Sequence, residues 1–471
     1  MTLYTPTPAL LDDLKSRLGP EGWRAPEDAP EKLEEPRGKW KGRAALVLRP
    51  STVEDVAFVV ASAAAEQTPV VPIGGGTGLV GGQVMEAGPP PLLLSLERMN
   101  RIREVAAADN VIVAEAGVIL ADIQTAADAV DRLFPLSLAA EGSCRIGGNL
   151  STNAGGLQVL RYGNARDLCL GVEAVMPDGS IMHGLKRLRK DNTGYDLRNL
   201  LIGAEGTLGV ITAASLKLFP KPVETATAFL AIPEPGAAVA LLNFLRPRVG
   251  DTISAFELID VTGFEFLAET GMGEPAPMNP MPRWSVLTEL AGRPGVGDAL
   301  EEALAEAFEA GLATDGAIAQ TEGQRAAFWR IREGIPEANR RVGAIASHDI
   351  SVPVARIPEF IEKGAAAFRR AHPDLRINCF GHVGDGNLHY NLYPPKGGDK
   401  AEHAAIKDEI TRIVHDLAHE TDGSISAEHG IGRLKAADLE RYGDPAKLAA
   451  MRAIKAALDP AGIMNPGAVL R

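Results

Sequence analysis

The sequence predicts an α+β protein of more than one domain, and three observations carry that reading. The chain has 471 residues, more than one hydrophobic core usually organises. From about residue 45 to 220, short β-branched runs alternate with glycine-rich turns and a few helices. From about 225 to 425 the rhythm changes to long strands and long helices, with antiparallel sheet character. Between the blocks, the segment Phe219 to Glu224, "FPKPVE", marks the join with two prolines.

In the first block, strands are expected over residues 45–48, 70–73, 92–96, 111–115, 170–176 and 210–218. A helix is expected over 52–66, where a threonine start and early acids precede apolar residues at helical spacing. In the second block, "TATAFLAIP", "ISAFELID" and "WSVLTELAG" read as strands. "VGDALEEALAEAFEAG", a stretch near 236–244 and another over 402–420 read as helices. The boundaries are 1–220 (with an N-terminal extension over 1–44), 221–425 and 426–471.

Bulk properties exclude several classes. A net charge of −13 argues against a nucleic-acid partner, since phosphate binding needs a basic face. Three cysteines spread over 236 positions form neither a disulfide framework nor a CxxC pair, which suits a reducing compartment. Asp12 and Asp13 fall where a signal peptide would have its apolar centre, and no stretch approaches 18 consecutive apolar residues. A cytoplasmic protein without a membrane span is the expectation.

"PVVPIGGGTGLVGGQV", residues 69–84, places six glycines within nine positions after a β-branched run. Its Gly76 to Gly81 stretch satisfies G-x-G-x-x-G, but that pattern marks a dinucleotide site only between a strand and a following helix. Here Gly88-Pro89-Pro90-Pro91 leaves no room for a helix, and the helix lies upstream. No Gly-Lys-Ser/Thr follows, so a phosphate loop of the P-loop type is also excluded. Further clusters occur at 141–167 and 192–222. Glycines allow close backbone approach and free amide donors for phosphate oxygens. Any one cluster could equally be tight turns in a β-rich domain; three in one block are harder to read that way.

"PIGGGTGLVGG", "GSCRIGGNLSTNAGGLQVLRYGNARD" and "GAEGTLGVIT", in that order and spacing, resemble the FAD-binding domain of the vanillyl-alcohol-oxidase and p-cresol-methylhydroxylase superfamily. The resemblance spans residues 40–471 and implies a two-part FAD-binding domain with a cap domain of antiparallel sheet and flanking helices between the parts. It implies FAD contacts from Pro72, Gly74, Gly75, Gly76, Thr77, Gly78 and Leu79 on the first loop. Gly142, Ser143, Gly147, Gly148, Thr152 and Asn153 follow from the second cluster, and Glu205, Gly206 and Ile211 from the third. "GIMNPGAVL" resembles the family's C-terminal return segment, which implies Asn465 near the flavin. The first loop carries no His or Cys where some members attach flavin covalently, so non-covalent FAD is expected.

The most informative text of the second half is "CFGHVGDGNLHYNLY", residues 379–393. Asp385-Gly386 is the dipeptide preferred in a two-residue type I′ hairpin loop. Counting outward from it sets Val383 against Leu388 and His382 against His389, with the two imidazoles on one face and Asn391 on the same side. "SAEHGIGR", residues 426–433, adds Glu428, which could complete a His-His-Glu set suited to zinc, or less readily manganese. His429 is then left for proton transfer. The plain alternative is that each histidine is a packed, hydrogen-bonded structural residue.

"GHVGDGNLHYN" and "EHGIG", taken with the flavin motifs, resemble the D-2-hydroxyacid dehydrogenase branch of that superfamily, which includes D-2-hydroxyglutarate, D-lactate and glycolate dehydrogenases. The resemblance implies a divalent metal on His382, His389 and Glu428, with His429 as base. It implies substrate contacts from His429, Asn391 and Arg332, the last favoured over Arg330 in "FWRIREGIPEA"; by itself a helical arginine is usually only solvated. One departure stands out. The D-2-hydroxyglutarate enzymes are expected to carry a threonine four residues after that arginine and a lysine before the "D-x-S-x-P" strand, where this chain has Pro336 and Ser347. The expected function is FAD-dependent, metal-assisted oxidation of a D-2-hydroxyacid such as D-2-hydroxyglutarate or D-lactate. Electrons would pass to an electron-transfer flavoprotein or a quinone-linked partner, and a homodimer is left open. The competing readings are an FAD-binding subunit of a multi-protein glycolate oxidase, or another FAD oxidase or alkylglycerone-phosphate-synthase-like member of the superfamily.

Overall fold

The computed structural model describes residues 2–471. The chain falls into two compact units: Met1–Gly156 with Tyr162–Lys221 and Glu428–Arg471, and Leu157–Arg161 with Pro222–Ala427. No helix among the described residues is long and apolar enough to cross a membrane.

The first unit holds a four-stranded sheet of β1 (Trp23–Arg24), β2 (Leu46–Leu48), β3 (Val70–Ile73) and β4 (Leu92–Ser95), in the order β1-β2-β4-β3. β2 and β3 both run parallel to β4, and parallel neighbours need crossovers. The helix Val53–Ala65 makes the first crossover. Thr52 caps it by accepting the Asp55 N–H, and Val56, Val59, Val60 and Ala63 face the core. The glycine loop makes the second connection, from β3 to β4, so it starts from a strand end without a helix after it.

A second sheet in this unit has the order β5-β6-β10-β8-β9, from β5 (Ile102–Ala106), β6 (Val111–Glu115), β8 (Cys169–Val175), β9 (Ile181–Gly184) and β10 (Val210–Lys217). A small ribbon pairs β7 (Arg132–Leu133) with β11 (Phe219–Pro220). β5 and β9 are absent from the strands expected from sequence. Both are edge strands, only partly buried, and "IREVA" and "IMHG" lack the apolar runs of the central strands. The C-terminal segment closes onto the first sheet: the Val70 N–H donates to the Ile463 carbonyl (2.8 Å) and the Asn465 N–H to the Val70 carbonyl (2.8 Å). Ile463 and Met464 are buried among Val70, Leu92 and Leu94. The chain's end is thus an added strand-like edge beside β3.

The second unit is built on one antiparallel sheet of seven strands, β15-β12-β14-β13-β17-β18-β16. These are β12 (Glu224–Ile232), β13 (Ile253–Asp260), β14 (Trp284–Gly292), β15 (Asp315–Ile318), β16 (Asp349–Ser351), β17 (Arg376–His382) and β18 (Asn387–Tyr393). Both faces are covered, which explains strands apolar on both sides. Leu230, Leu258 and Val286 pack with helices Pro235–Val249, Val296–Glu309 and Ile357–Ala371. Phe229, Ile259, Leu287 and Phe380 pack on the other face against helices Val261–Glu269 and Glu322–Val342. That second face also has a polar seam. Arg325 and Trp329 bond to Glu289, Arg332 to Glu257, and Asn339 to Asn378, so one stripe of the helix Glu322–Val342 carries charge into the interior.

Candidate functional site

In the first unit, the three glycine clusters converge on one cleft, open on one side to solvent. Of the residues expected to contact FAD, Pro72, Gly74, Gly75, Gly76, Thr77, Gly78, Gly147, Gly148, Thr152, Glu205, Gly206, Ile211 and Asn465 line it. Leu79, Gly142, Ser143 and Asn153 do not. The Asn153 side chain instead accepts the Arg166 N–H (2.9 Å), which makes it a turn residue of that loop. Gln83, Arg145, Asn149 and Ser151 line the cleft without having been singled out from sequence.

The cleft fits a dinucleotide. The backbone N–H groups of Gly74, Gly75, Gly76, Thr77 and Gly78 donate to no protein acceptor among the described residues, which leaves a run of amides for a diphosphate. A Cβ at Gly75 would sit 2.4 Å from the Ser143 carbonyl oxygen, and one at Gly147 would sit 2.5 Å from the Ala116 Cβ. At Gly75 the first cluster thus meets the second backbone to backbone, and Gly147 packs against Ala116 just past the end of β6, approaches that only glycine permits. Gly75→Ala is expected to purify with flavin well below one per chain, read from the absorbance of acid-released flavin. A fully loaded Gly75→Ala protein would show that the cradle tolerates a side chain there.

A polar clasp joins the C-terminal segment to this cleft. The Glu205 carboxylate accepts the Ile431 N–H (2.7 Å) and the Gly432 N–H (2.8 Å). Burial raises the pKa of this carboxyl, with the two amides working against it. Arg433 donates to the Gly81 and Gly82 carbonyls and to Asn465 Oδ1 (3.0, 2.8 and 2.9 Å); burial lowers it to about 10. Asn465 Nδ2 donates to the carbonyls of Gly82 and Glu205 (3.0 and 2.8 Å). Gly430 stands at φ +81° with space for no Cβ beside Glu205. The result is a fixed turn, and His429, just before it, lines the same cleft.

In the second unit, the helix-covered face of β13, β17 and β18 collects the polar residues expected around a metal and a carboxylate. The hairpin differs from the sequence expectation. His389 pairs with Phe380, and His382 pairs with Glu257 on β13, so His382 and His389 are diagonal rather than opposed. Asp385 does not adopt the positive φ that a type I′ loop demands at both central residues, and only Gly386 does (φ +91°). Asp385 Oδ1 accepts the Asn387 N–H (3.1 Å) instead, and the loop widens to Val383–Gly386. The register moves by two residues, so the face is preserved. The two imidazoles still meet edge to face, with ring centroids 6.0 Å apart.

The His382 Nδ1 lies 2.5 Å from Glu257 Oε1, and Arg332 Nε donates to Glu257 Oε2 at 2.7 Å. Burial alone would raise the Glu257 carboxyl, but His382 and Arg332 against it bring it down to about 2. With Nδ1 facing a carboxylate, a neutral His382 would carry its lone pair on Nε2, the arrangement found behind metal-bound histidines. These residues therefore fit a divalent metal. Arg332 lies over the Phe380 ring at 5.0 Å, and its two Nη groups have no hydrogen bond among the described residues. Arg330, exposed, pairs with Glu274 (2.7 Å). Asn391 Oδ1 accepts the His348 N–H (2.9 Å), which leaves its amide nitrogen as a donor. Pro336 and Ser347 are exposed. Glu428 opens the last segment of the first unit, one peptide bond beyond Ala427, whose N–H donates to the Asp349 carbonyl (3.3 Å) in the second. Glu257 carried no local sequence signal, because it reaches His382 only through strand pairing.

Comparison with known proteins gives the following. Residues 44–184 match the family described as FAD binding domain, and residues 221–469 match FAD linked oxidases, C-terminal domain. The chain is 38% identical over 435 residues to the mitochondrial D-2-hydroxyglutarate dehydrogenase of Arabidopsis thaliana, covering 92% of this chain and 76% of that protein. It is 34% identical over 476 residues to a D-2-hydroxyglutarate dehydrogenase of Stutzerimonas stutzeri, covering 98% and 99%. Among solved structures, p-cresol methylhydroxylase with substrate bound aligns with a TM-score of 0.77 at 18% identity, covering 99% of this chain and 98% of that one, a likeness of fold.

Proposed function

The chain belongs to the FAD-linked oxidase family, and on that premise we propose that it oxidises a D-2-hydroxyacid to the 2-oxoacid with hydride transfer to FAD. The observation that supports this reading is that His429 lines the glycine-walled cleft, on a turn whose backbone N–H groups at Ile431 and Gly432 are held by Glu205. FAD would supply the hydride acceptor, and a divalent metal, zinc before manganese, which His382, His389 and Glu428 of the sequence motifs would hold, would supply Lewis acidity toward the substrate. His429 takes the hydroxyl proton onto an imidazole nitrogen. The Nη fork of Arg332 pairs with the substrate carboxylate, a geometry that a guanidinium matches with two parallel bonds, and Asn391 offers its amide N–H.

D-2-hydroxyglutarate is the first substrate to test, because the relatives named above carry that activity in their names. Pro336 and Ser347 replace two expected anchors of a distal carboxylate, which keeps D-lactate beside it. The same reading takes an electron-transfer flavoprotein or a quinone-linked protein as acceptor, and a cytoplasmic location. The purified protein is expected to be yellow, to release FAD on acid treatment, and to bleach anaerobically with one of these D-acids. Flavin that stays with the denatured chain would overturn non-covalent binding, and absence of bleaching by every D-2-hydroxyacid offered would overturn the substrate class.

A further inference from the structure

We propose that Glu257 is the positioning residue that couples the metal-binding imidazole of His382 to the substrate-binding guanidinium of Arg332. The inference rests on the metal-assisted reading given above and adds to it a residue that touches neither metal nor substrate.

Three observations carry it. Glu257 is 0% exposed, and a carboxylate so buried is kept only where charged or hydrogen-bonding partners satisfy it. Its two oxygens go to two different residues, Oε1 to His382 Nδ1 (2.5 Å) and Oε2 to Arg332 Nε (2.7 Å). The pairing of β13 with β17 sets Glu257 directly across from His382, so the contact is fixed by backbone register rather than by a flexible side chain.

The neighbouring carboxylate on the same face shows what a purely structural contact looks like. Glu289 takes both Nε and Nη2 of Arg325 (2.9 and 3.2 Å) and the Trp329 Nε1 (2.6 Å). That guanidinium is gripped along its edge and has little fork left to offer. Glu257 takes only Nε, and the Phe380 ring under the guanidinium (5.0 Å) fixes its plane. Arg332 is thereby held by its inner nitrogen with both outer nitrogens presented. On the other side, Glu257 fixes the His382 tautomer and makes Nε2 a better ligand. One carboxylate thus orients both groups. Losing it should weaken two binding events that otherwise share no residue.

The test compares Glu257→Gln, Glu257→Asp, Glu289→Gln and His382→Ala with the wild-type holoenzyme. The readouts are zinc affinity by competition with a chromophoric chelator, flavin content, thermal midpoint, and KM for the D-2-hydroxyacid that bleaches the flavin. Glu257→Gln is expected to lower zinc affinity about 10- to 100-fold, the usual effect of removing such an outer partner, and to raise KM as well, with flavin content unchanged. Glu289→Gln should move only the thermal midpoint. Should Glu257→Gln fail to fold, Glu257→Asp keeps the charge but is too short to reach both partners, and must still lose zinc affinity, KM or both. Zinc affinity and KM within twofold of wild type in a folded Glu257 variant would overturn the proposal while leaving the metal reading intact. A wild-type protein that binds no zinc and is indifferent to His382→Ala would overturn that reading and the proposal with it.

Discussion

On the proposed metal-assisted reaction, treatment with a chelator is expected to lower turnover about 10³-fold while FAD stays bound, and added Zn2+, or less effectively Mn2+, to restore it. The magnitude follows from the several kcal/mol that Lewis-acid stabilisation contributes to such a reaction, at ~1.4 kcal/mol per factor of ten. Retention of flavin follows from the separation of roles. The run of amides proposed for the diphosphate is the backbone of Gly74 to Gly78 in the first unit, whereas His382 and His389 stand on β17 and β18 of the second. His382→Ala should reproduce the chelated state and resist rescue by added metal, because Glu257 then has no imidazole to orient. Flavin content and metal stoichiometry measured on the same sample decide the matter. His382→Ala protein with a full complement of metal would remove His382 from the ligand set, and flavin lost together with metal would show that the two sites are not independent.

What the sequence revealed of this fold depended on whether the signal was local. The glycine loop was legible because a helix before the strand and prolines after the loop exclude the usual dinucleotide arrangement, and the loop does run from β3 to β4 without a helix. The central strands were legible from continuous apolar runs. β5 and β9 were not, since an edge strand needs apolar residues on fewer sides. Leu157–Arg161, which belong with the second unit, sit inside a glycine cluster of the first and carry no mark of their own. In the hairpin, the parity of His382 and His389 was legible from alternation alone, but the register was set by the Asp385 side chain capping Asn387. Glu257, Glu205 and Arg433 illustrate a further limit: each acts on residues distant in the chain, 125 positions away for Glu257 and His382. A single sequence shows which residues could be ligands; strand pairing and backbone clasps decide what orients them.

Replacing His429 by Ala is expected to lower the rate of flavin reduction by about 10²-fold or more, the range for loss of a positioned general base, with FAD and metal content close to wild type. His429 lines the flavin cleft, yet the run of amides suited to a diphosphate lies on the separate loop Gly74 to Gly78. The turn that carries His429 is held through the backbone N–H groups of Ile431 and Gly432 on Glu205 and through Arg433 on Gly81, Gly82 and Asn465. None of these bonds uses the imidazole, so the substitution should leave these backbone anchors of the turn in place. Arg332→Ala supplies the contrast. A guanidinium that pairs with the substrate carboxylate holds ground state and transition state alike, so its loss should appear mainly in KM, whereas loss of the base should appear in the reduction rate at saturating substrate. Anaerobic stopped-flow reduction with D-2-hydroxyglutarate and D-lactate separates the two. Partial recovery of the His429→Ala rate by free imidazole would support proton transfer at that position. An undiminished rate in His429→Ala would remove the base assignment, and a strict preference for the dicarboxylate would show that cations other than the missing anchors at Pro336 and Ser347 hold the far end of the substrate.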